Sequence, residues 1–266
     1  MLVIGERMNT AGKTFYNAVL NRDVDFVLNL ARRQIEAGAD YLDLNTGHLA
    51  EEEGPALRWL RDLLVSNFQI PLCFDSANPD ILEDILKDYD GSAIINSISL
   101  EEKKRKALLP VLRSYPVKIV ALCLDDAGIP ESTARRLEIA DLLICYLVDN
   151  SISLERIFID PLILAIGAAN NAGAMALETI HRIKDKYPGI NTICGLSNIS
   201  FGLPGRQIIN RAFLAMSLSA GLDAAILDPL DQYMMVTIAA CEALLGRDPY
   251  CRKYLKAYRK TEEAGK

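Results

Sequence analysis

Eight short runs of apolar, largely β-branched residues recur along the chain, each followed by a longer stretch with helical periodicity. This alternation constrains the fold more than any other feature. The runs fall at residues 2–6, 41–45, 71–75, 93–97, 118–123, 157–160, 192–197 and 224–228. Each is almost continuously hydrophobic, as a parallel strand covered by helices must be. Strands alternating with helices imply crossover units and a parallel sheet, and eight strands are enough to close a barrel whose interior is filled by side chains. The sequence therefore predicts the α/β class, a (β/α)8 TIM barrel in a single domain over residues 1–259, with 260–266 as an unstructured tail. An open, doubly wound sheet is the competing arrangement. It would usually bring a Gly-rich turn after its first strand, and neither G-x-G-x-x-G nor G-x-x-x-x-G-K-[ST] occurs.

Local signals agree with this division. Asn78-Pro79 reads as an N-cap followed by Pro at the first helical position, and Ser99-Leu-Glu-Glu102 as a capping box. Gly38 and Gly221 read as helix stops. Half of the residues are hydrophobic and 24% are charged, enough apolar material for one large core. The net charge of −6 argues against nucleic acid as a partner, so the run Lys103-Lys104-Arg105-Lys106 reads as a solvated helix face. The six cysteines form no C-x-x-C pair and no histidine doublet accompanies them, so neither a metal site nor a disulfide framework is expected. No leader-like or membrane-length apolar segment is visible, which predicts a cytoplasmic protein.

The polar residues are more telling than the apolar ones, because nearly every strand ends in one. The first run leads to Glu6-Arg7-Met8-Asn9 and the second to Asp43-Leu-Asn45. The others end at Asp75-Ser76, Asn96-Ser97, Asp160, Ser197-Asn198 and Asp228. In a barrel these carboxyl ends converge on the face that carries the active site. Taken singly, an Asp or Asn at such a position is as well explained as a turn residue. So many at equivalent positions make one constellation the better account. Amides and carboxylates dominate it, which suits a flat heterocycle with donors and acceptors on adjacent edges, such as a pterin, a purine or another amidine-bearing ring. Phosphate recognition has little support beyond Arg206 and Arg211, which follow the seventh run. Of the two histidines, His181 reads as a surface residue and His48 as a loop residue near the mouth, so a Ser/His/Asp triad is not indicated.

The segments Val3-Ile-Gly-Glu-Arg-Met-Asn9, Asp43-Leu-Asn45, Asp75-Ser76, Ile95-Asn96-Ser97, Ile159-Asp160-Pro161-Leu162, Gly195-Leu-Ser-Asn198-Ile-Ser200 and Ile209-Asn-Arg-Ala-Phe-Leu-Ala-Met216 resemble the pterin-binding methyltransferases. More narrowly, they are similar to the methyltetrahydrofolate:corrinoid protein methyltransferases, with a likeness that runs from residue 1 to about residue 255. The resemblance implies that Asp75, Asn96 and Asp160 hold the pterin ring, that Gly195 and Ser197 lie beside it, and that Arg206 reaches the folate. It implies that Asn198 contacts N5, where it supports positive charge as the methyl bond is made or broken, so that Asn198 and Asp160 carry the catalysis. Glu6, Asn9, Asp43, Asn45 and Asp228 are expected to support them. No metal is expected in this chain. Tetrahydrofolate or methyltetrahydrofolate is the expected substrate, a corrinoid-binding protein the expected partner bringing cobalamin, and a homodimer the expected assembly.

One departure stands out: Phe201-Gly-Leu-Pro204 occupies the loop after Asn198, where a polar Gln is common in the family. This could mark a member working in the opposite direction, from methylcobalt to tetrahydrofolate. A dihydropteroate synthase-like enzyme would bring an Asp-Ser-Phe-Ser-Asp loop and a Ser-x-Arg set, neither of which is present. A zinc-dependent thiol methyltransferase would need Cys and His ligands at strand ends. A non-catalytic folate-binding protein is the alternative from outside enzymology, and turnover separates it from the methyltransferase.

Overall fold

The computed structural model describes residues 1–264 and is a closed barrel in which each strand pairs in parallel with the next and the first with the last. The strands are β1 (Leu2–Asn9), β2 (Tyr41–Asn45), β3 (Leu72–Asp75), β4 (Ala93–Ile98), β5 (Lys118–Leu122), β6 (Ile157–Asp160), β7 (Asn191–Gly195) and β8 (Ala224–Leu227). Between and around them run α1 (Lys13–Leu20), α2 (Val24–Ala37), α3 (Glu53–Asn67), α4 (Pro79–Leu86), α5 (Glu102–Ser114), α6 (Thr133–Asp149), α7 (Ala172–Lys186), α8 (Arg206–Ala220), α9 (Gln232–Leu244) and α10 (Arg252–Ala264). The pairing of β1 with β8 excludes the open sheet. Helix α10 carries the chain to Ala264, so residues 260–264 are helical where a loose tail is expected. It packs on α9 with Tyr254, Ala257 and Thr261 half-buried, and this tertiary contact accompanies the helical end. Residues 265–266 lie outside the described residues.

Apolar side chains make two separate layers. Outside the barrel, helices bury Leu42, Leu44, Leu57, Leu60, Phe74 and Ile95 against the sheet. Inside it, Ile4, Cys73, Ile94, Val120, Phe158, Ile193 and Ile226 fill the lumen. Side chains of a strand alternate faces, so the residue two places beyond an inward apolar one also points inward. That rule delivers Glu6, Asp75, Asn96, Asp160, Gly195 and Asp228 to the carboxyl end of the lumen.

The helix stops behave as the sequence indicates: Gly38 and Gly221 end α2 and α8 in the left-handed conformation, with φ of 108° and 109°. Asn78 caps α4 by accepting from the amide of Asp80 at 3.0 Å. The capping box at 99–102 does not form. Ser99 Oγ instead donates to Glu101 at 2.7 Å, and the first free amide of α5, that of Glu102, is satisfied by Asp126 across the β5–α6 loop. A tertiary partner has replaced the local one. Residues 103–106 lie on the outer part of α5, with Lys104 and Lys106 paired to Glu101 and Glu102. Among the described residues no helix is long and apolar enough to cross a membrane.

Candidate active site

The mouth is built from adjacent strand ends. Asn45, Asp75 and Asn96 are register partners on β2, β3 and β4, and Asn45 Nδ2 donates to Asp75 Oδ2 at 2.6 Å. On the other side Asp160, at the end of β6, is bonded by the backbone amides of Leu162 and Gly195. Asn198 folds back over Gly195 so closely that a Cβ there would sit 3.0 Å from its Nδ2. Ser197 donates to Glu6 at 2.7 Å, and Arg206 holds the Ser197 carbonyl at 2.7 Å and Ser200 Oγ at 3.0 Å. Arg7 reaches Asp228 at 3.4 Å and completes the circuit.

A bulge in β1 places Glu6. Gly5 and Met8 pair with Leu42 and Leu44, so β1 has an extra residue between them and the strand kinks there. The buried side chain of Gln34 stabilises the kink by accepting from the Arg7 amide at 3.1 Å. Its oxygen lies 2.5 Å from where a Cβ on Gly5 would be, so any larger residue there must push the Gln34 amide aside.

Several strand-end residues do two jobs at once. One oxygen of Asn9, Asn45, Asp160 and Asp228 accepts from the backbone amide two residues on, at 2.8, 3.1, 2.7 and 3.0 Å. These are turns of the kind that recruit Asp and Asn. The second polar atom then has different fates. Asn45 spends it on Asp75 and Asp228 on Arg7, whereas Asp160 is met only by backbone amides, those of Leu162 and Gly195, and has no side-chain partner among the described residues. Asn96 and Asn198 have no side-chain hydrogen bond among the described residues, and Asn198 is exposed. Amides without protein partners, those of Asn96 and Asn198, therefore stand at the same end of the barrel as the buried carboxylates of Asp75 and Asp160.

The charges are unusual for carboxylates. Burial lifts Asp160 to about 7, against the pull of its two backbone donors and of Arg136. It lifts Glu6 to about 7, opposed mainly by the Ser197 hydroxyl, and Asp75 to about 6, opposed by Asn45. Asp43 lies one layer deeper, facing Cys73 across the sheet, and is held well above the carboxylate range by burial and by the charges of Asp75 and Glu6. It belongs to the lumen, and Oδ1 lacks a hydrogen-bond partner. Raised carboxylates in a cleft are the electrostatic mark of a functional site.

Two hollows open beside this ring. One of about 640 Å³ is lined by Glu6, Asn9, Lys13, Ser197 and Arg206, and one of about 330 Å³ by Asn45, His48, Glu53, Asp75 and Ser76. Asn96 and Asp160 line neither and stand on the remaining arc. A third hollow, of about 570 Å³ by Arg61 and Tyr89, lies at the opposite, amino end of the strands, where barrels of this kind carry no chemistry.

The sequence reading missed three residues. Arg136 is fully buried on α6 and turns its charge toward Asp160, with Nη1 and Nη2 unpartnered in the protein. Glu53 accepts from Ser76 Oγ at 2.5 Å beneath the smaller hollow. Gln34 holds the β1 bulge. All three come from helices, and no strand-end pattern points to them. Arg211, an anion candidate in the sequence, is spent on Asp231, with contacts of 3.0 and 2.6 Å. His181 is exposed beside Asp185, and His48 edges the smaller hollow without a side-chain bond. Cys73, Cys123, Cys194 and Cys241 are buried, while Cys145 and Cys251 are exposed. Among the described residues no three His, Cys, Asp or Glu side chains are grouped as metal ligands.

Comparison with known families matches residues 5–228 to the pterin binding enzymes. The chain belongs to the pterin-binding enzyme family. It is 36% identical over 261 residues to the methylcorrinoid:tetrahydrofolate methyltransferase of Eubacterium limosum, an alignment covering 97% of this chain and 96% of that protein. It is 31% identical over 239 residues to the methionine synthase of Mycobacterium tuberculosis, of which the matched part is only 20% while covering 85% of this chain. Among solved structures, the dihydropteroate synthase of Xanthomonas albilineans in complex with 7,8-dihydropteroate superposes with a TM-score of 0.69 over 92% of each chain. At 18% identity that likeness concerns the barrel alone.

Proposed function

We propose that this member of the pterin-binding family transfers a methyl group between the cobalt of a corrinoid carried by a separate protein and N5 of tetrahydrofolate. The observation that carries the reading is its end-to-end similarity to a methylcorrinoid:tetrahydrofolate methyltransferase. The unspent polar atoms at the mouth have the chemistry it requires. In this reading Asp75 and Asp160 accept the pterin's amino and ring N–H protons while Asn96 supplies a donor and an acceptor together. Gly195 and Ser197 flank the ring, and Arg206 approaches the folate beyond it. Asn45 fixes Asp75, and Glu6 fixes Ser197. Asn9, Asp43 and Asp228 shape the surroundings.

In the same reading Asn198 addresses N5. In transfer toward the folate, the N5 lone pair forms the bond to the methyl carbon, the carbon–cobalt bond breaks with its electron pair going to cobalt, and N5 gains positive charge until its proton leaves. The reverse transfer meets the same charge before the N5–methyl bond breaks. An amide oxygen held at that place stabilises the charge without titrating, and fixed donors and acceptors need no reorganisation as it develops. Holding folate and corrinoid in line supplies the remainder through orientation. Because the barrier falls for both directions together, the methyl donor supplied decides which way the reaction runs. Methylcorrinoid to tetrahydrofolate is the direction we assign, on the relative's similarity and on Phe201 in place of a polar residue.

The test is anaerobic conversion of methylcobalamin and tetrahydrofolate to cob(I)alamin and methyltetrahydrofolate, followed through the corrinoid spectrum. Asn198→Ala and Asp160→Ala should be slow beside the wild type. Folate binding without conversion in either direction, even with a corrinoid protein supplied, would reduce the chain to a binding module. The same proposal includes a cytoplasmic homodimer, for which sedimentation should give about twice the 29.4 kDa of one chain.

A further inference from the structure

Outside the mouth, positive charge is distributed unevenly. The chain is net acidic, at −6, and elsewhere on its surface Arg58, Lys104, Lys106, Arg135, Arg182 and Lys186 each have a carboxylate within 4.0 Å. At the larger hollow of the mouth, by contrast, unpaired basic side chains follow one another along a single groove. Starting at Glu6, Ser197 and Arg206, it runs outward past Lys13 to Arg33 and Leu230. Arg33 and Leu230 also line a second hollow of about 380 Å³ between α2, α9 and α10, so the two adjoin. Lys253, Lys256 and Lys260 border this outer hollow, spaced at three and four residues so that they share one face of α10. Its floor is apolar, including Met235, Val236 and Ala239, and Glu36 is the single acid among its lining residues. Lys13, Arg33, Lys253 and Lys256 have no carboxylate partner among the described residues.

We infer that this track, from Arg206 through Lys13 and Arg33 to the lysine face of α10, binds the γ-linked oligoglutamate chain of the folate substrate. The inference rests on the folate reading above and extends it outward from the ring. A γ-glutamyl chain carries one carboxylate on each residue, separated by methylenes and an amide. Its ligand must therefore offer cations at intervals over an apolar floor, which is the composition of the track. Basic side chains left unpaired on an acidic protein keep their attraction for an arriving anion, whereas those already bridged do not. Arg206 links the two parts, because its guanidinium is bonded within the mouth at Ser197 and Ser200 while standing at the head of the track.

The experiment measures the Kd of tetrahydrofolate bearing one and four glutamates on the full chain, at low ionic strength and at about 1 M salt, where the Debye length is only about 3 Å. Wild type, Arg33→Glu and the triple variant Lys253→Glu/Lys256→Glu/Lys260→Glu are compared. The expected result is that wild type binds the tetraglutamate on the order of tenfold tighter than the monoglutamate, since each exposed pair adds a few tenths of a kcal/mol to about 1 kcal/mol. That advantage should vanish in high salt and in both variants, while at each ionic strength monoglutamate affinity is the same in the variants as in wild type. Equal affinity for the two forms in wild type would overturn the inference, as would variants that lose both forms equally. Variants that keep the tetraglutamate advantage and raise only the KM for a corrinoid protein would also overturn it, and would assign the face to the partner. Failure of wild type to bind the monoglutamate is a separate result that rejects the folate reading itself.

Discussion

The two ends of the barrel lumen are made by the same strands and treat their polar groups in opposite ways. At the amino end Lys118 donates to the Tyr41 hydroxyl at 3.2 Å, and that hydroxyl lies 3.0 Å from Ser92 Oγ. The Lys118 ammonium also sits over the Tyr41 and Phe158 rings, at 5.4 and 5.8 Å. Polar groups there are spent on one another and close the floor. At the carboxyl end Asn96 and Asn198 keep their amides free among the described residues, and burial holds Glu6, Asp75 and Asp160 at about 6 to 7. The floor serves stability, and the mouth is a place where stability is given up so that a ligand can complete it.

The largest effect that would sharpen this contrast is in Asn198→Ala. We expect turnover to fall by about 10²–10³, the usual cost of losing one fixed charge-stabilising group. Thermal unfolding should be unchanged, since the Asn198 side chain bonds nothing in the protein. A variant that unfolds early and still turns over would make Asn198 a structural residue.

Asp160→Asn comes next, and its sign depends on pH. A carboxyl raised from 3.8 to about 7 by burial takes up a proton on folding. Its penalty is therefore absent below the unfolded value, grows as pH rises between the two, and is complete above about 7. The variant keeps the acceptor for Leu162 and removes the charge. Denaturant titration should find it more stable than wild type at about pH 8, by on the order of 2–4 kcal/mol, with the difference gone near pH 4. Wild type and variant running parallel across that window would show that Asp160 is not strained by burial.

At the floor, Lys118→Met should do the reverse, lowering stability by about 1–3 kcal/mol through loss of the charged donor to the Tyr41 hydroxyl, which keeps Ser92, while leaving kcat intact. Gly5→Ala pushes on the Gln34 amide and should cost a similar about 1–3 kcal/mol, with some loss of activity because the bulge that carries Glu6 shifts. The smallest effect is chemical: a thiol reagent should label Cys145 and Cys251 in the native protein and reach the four buried cysteines only after unfolding, their thiols being raised by burial as at Cys73 and Cys194.

Much of this was legible in the sequence, for reasons that particular residues make plain. A parallel strand covered on both faces must be apolar throughout, so the eight runs announced themselves, and their polar carboxyl ends brought Asp75, Asn96 and Asp160 to one face of the barrel. The ambiguity of an Asp or Asn at a strand end was also real, and the structure resolves it by division of labour. Asp160 is both a turn residue and a carboxylate without a side-chain partner among the described residues, whereas Asp228 is tied up by its turn and Arg7. The extent of β1 was less visible, because the bulge at Glu6 lets pairing resume at Met8 and Asn9 where alternation alone would stop the strand.

The sequence by itself determined the class of fold, the ring of amides and carboxylates and the family resemblance, because each depends on periodicity or on short motifs close in the chain. Only the tertiary structure decided which polar atoms stay unspent, how far burial raises each carboxylate, and which distant helices supply Arg136, Glu53, Gln34 and the lysine face of α10. Those are properties of distance and dielectric between residues far apart in sequence, and they come into being only when the barrel closes.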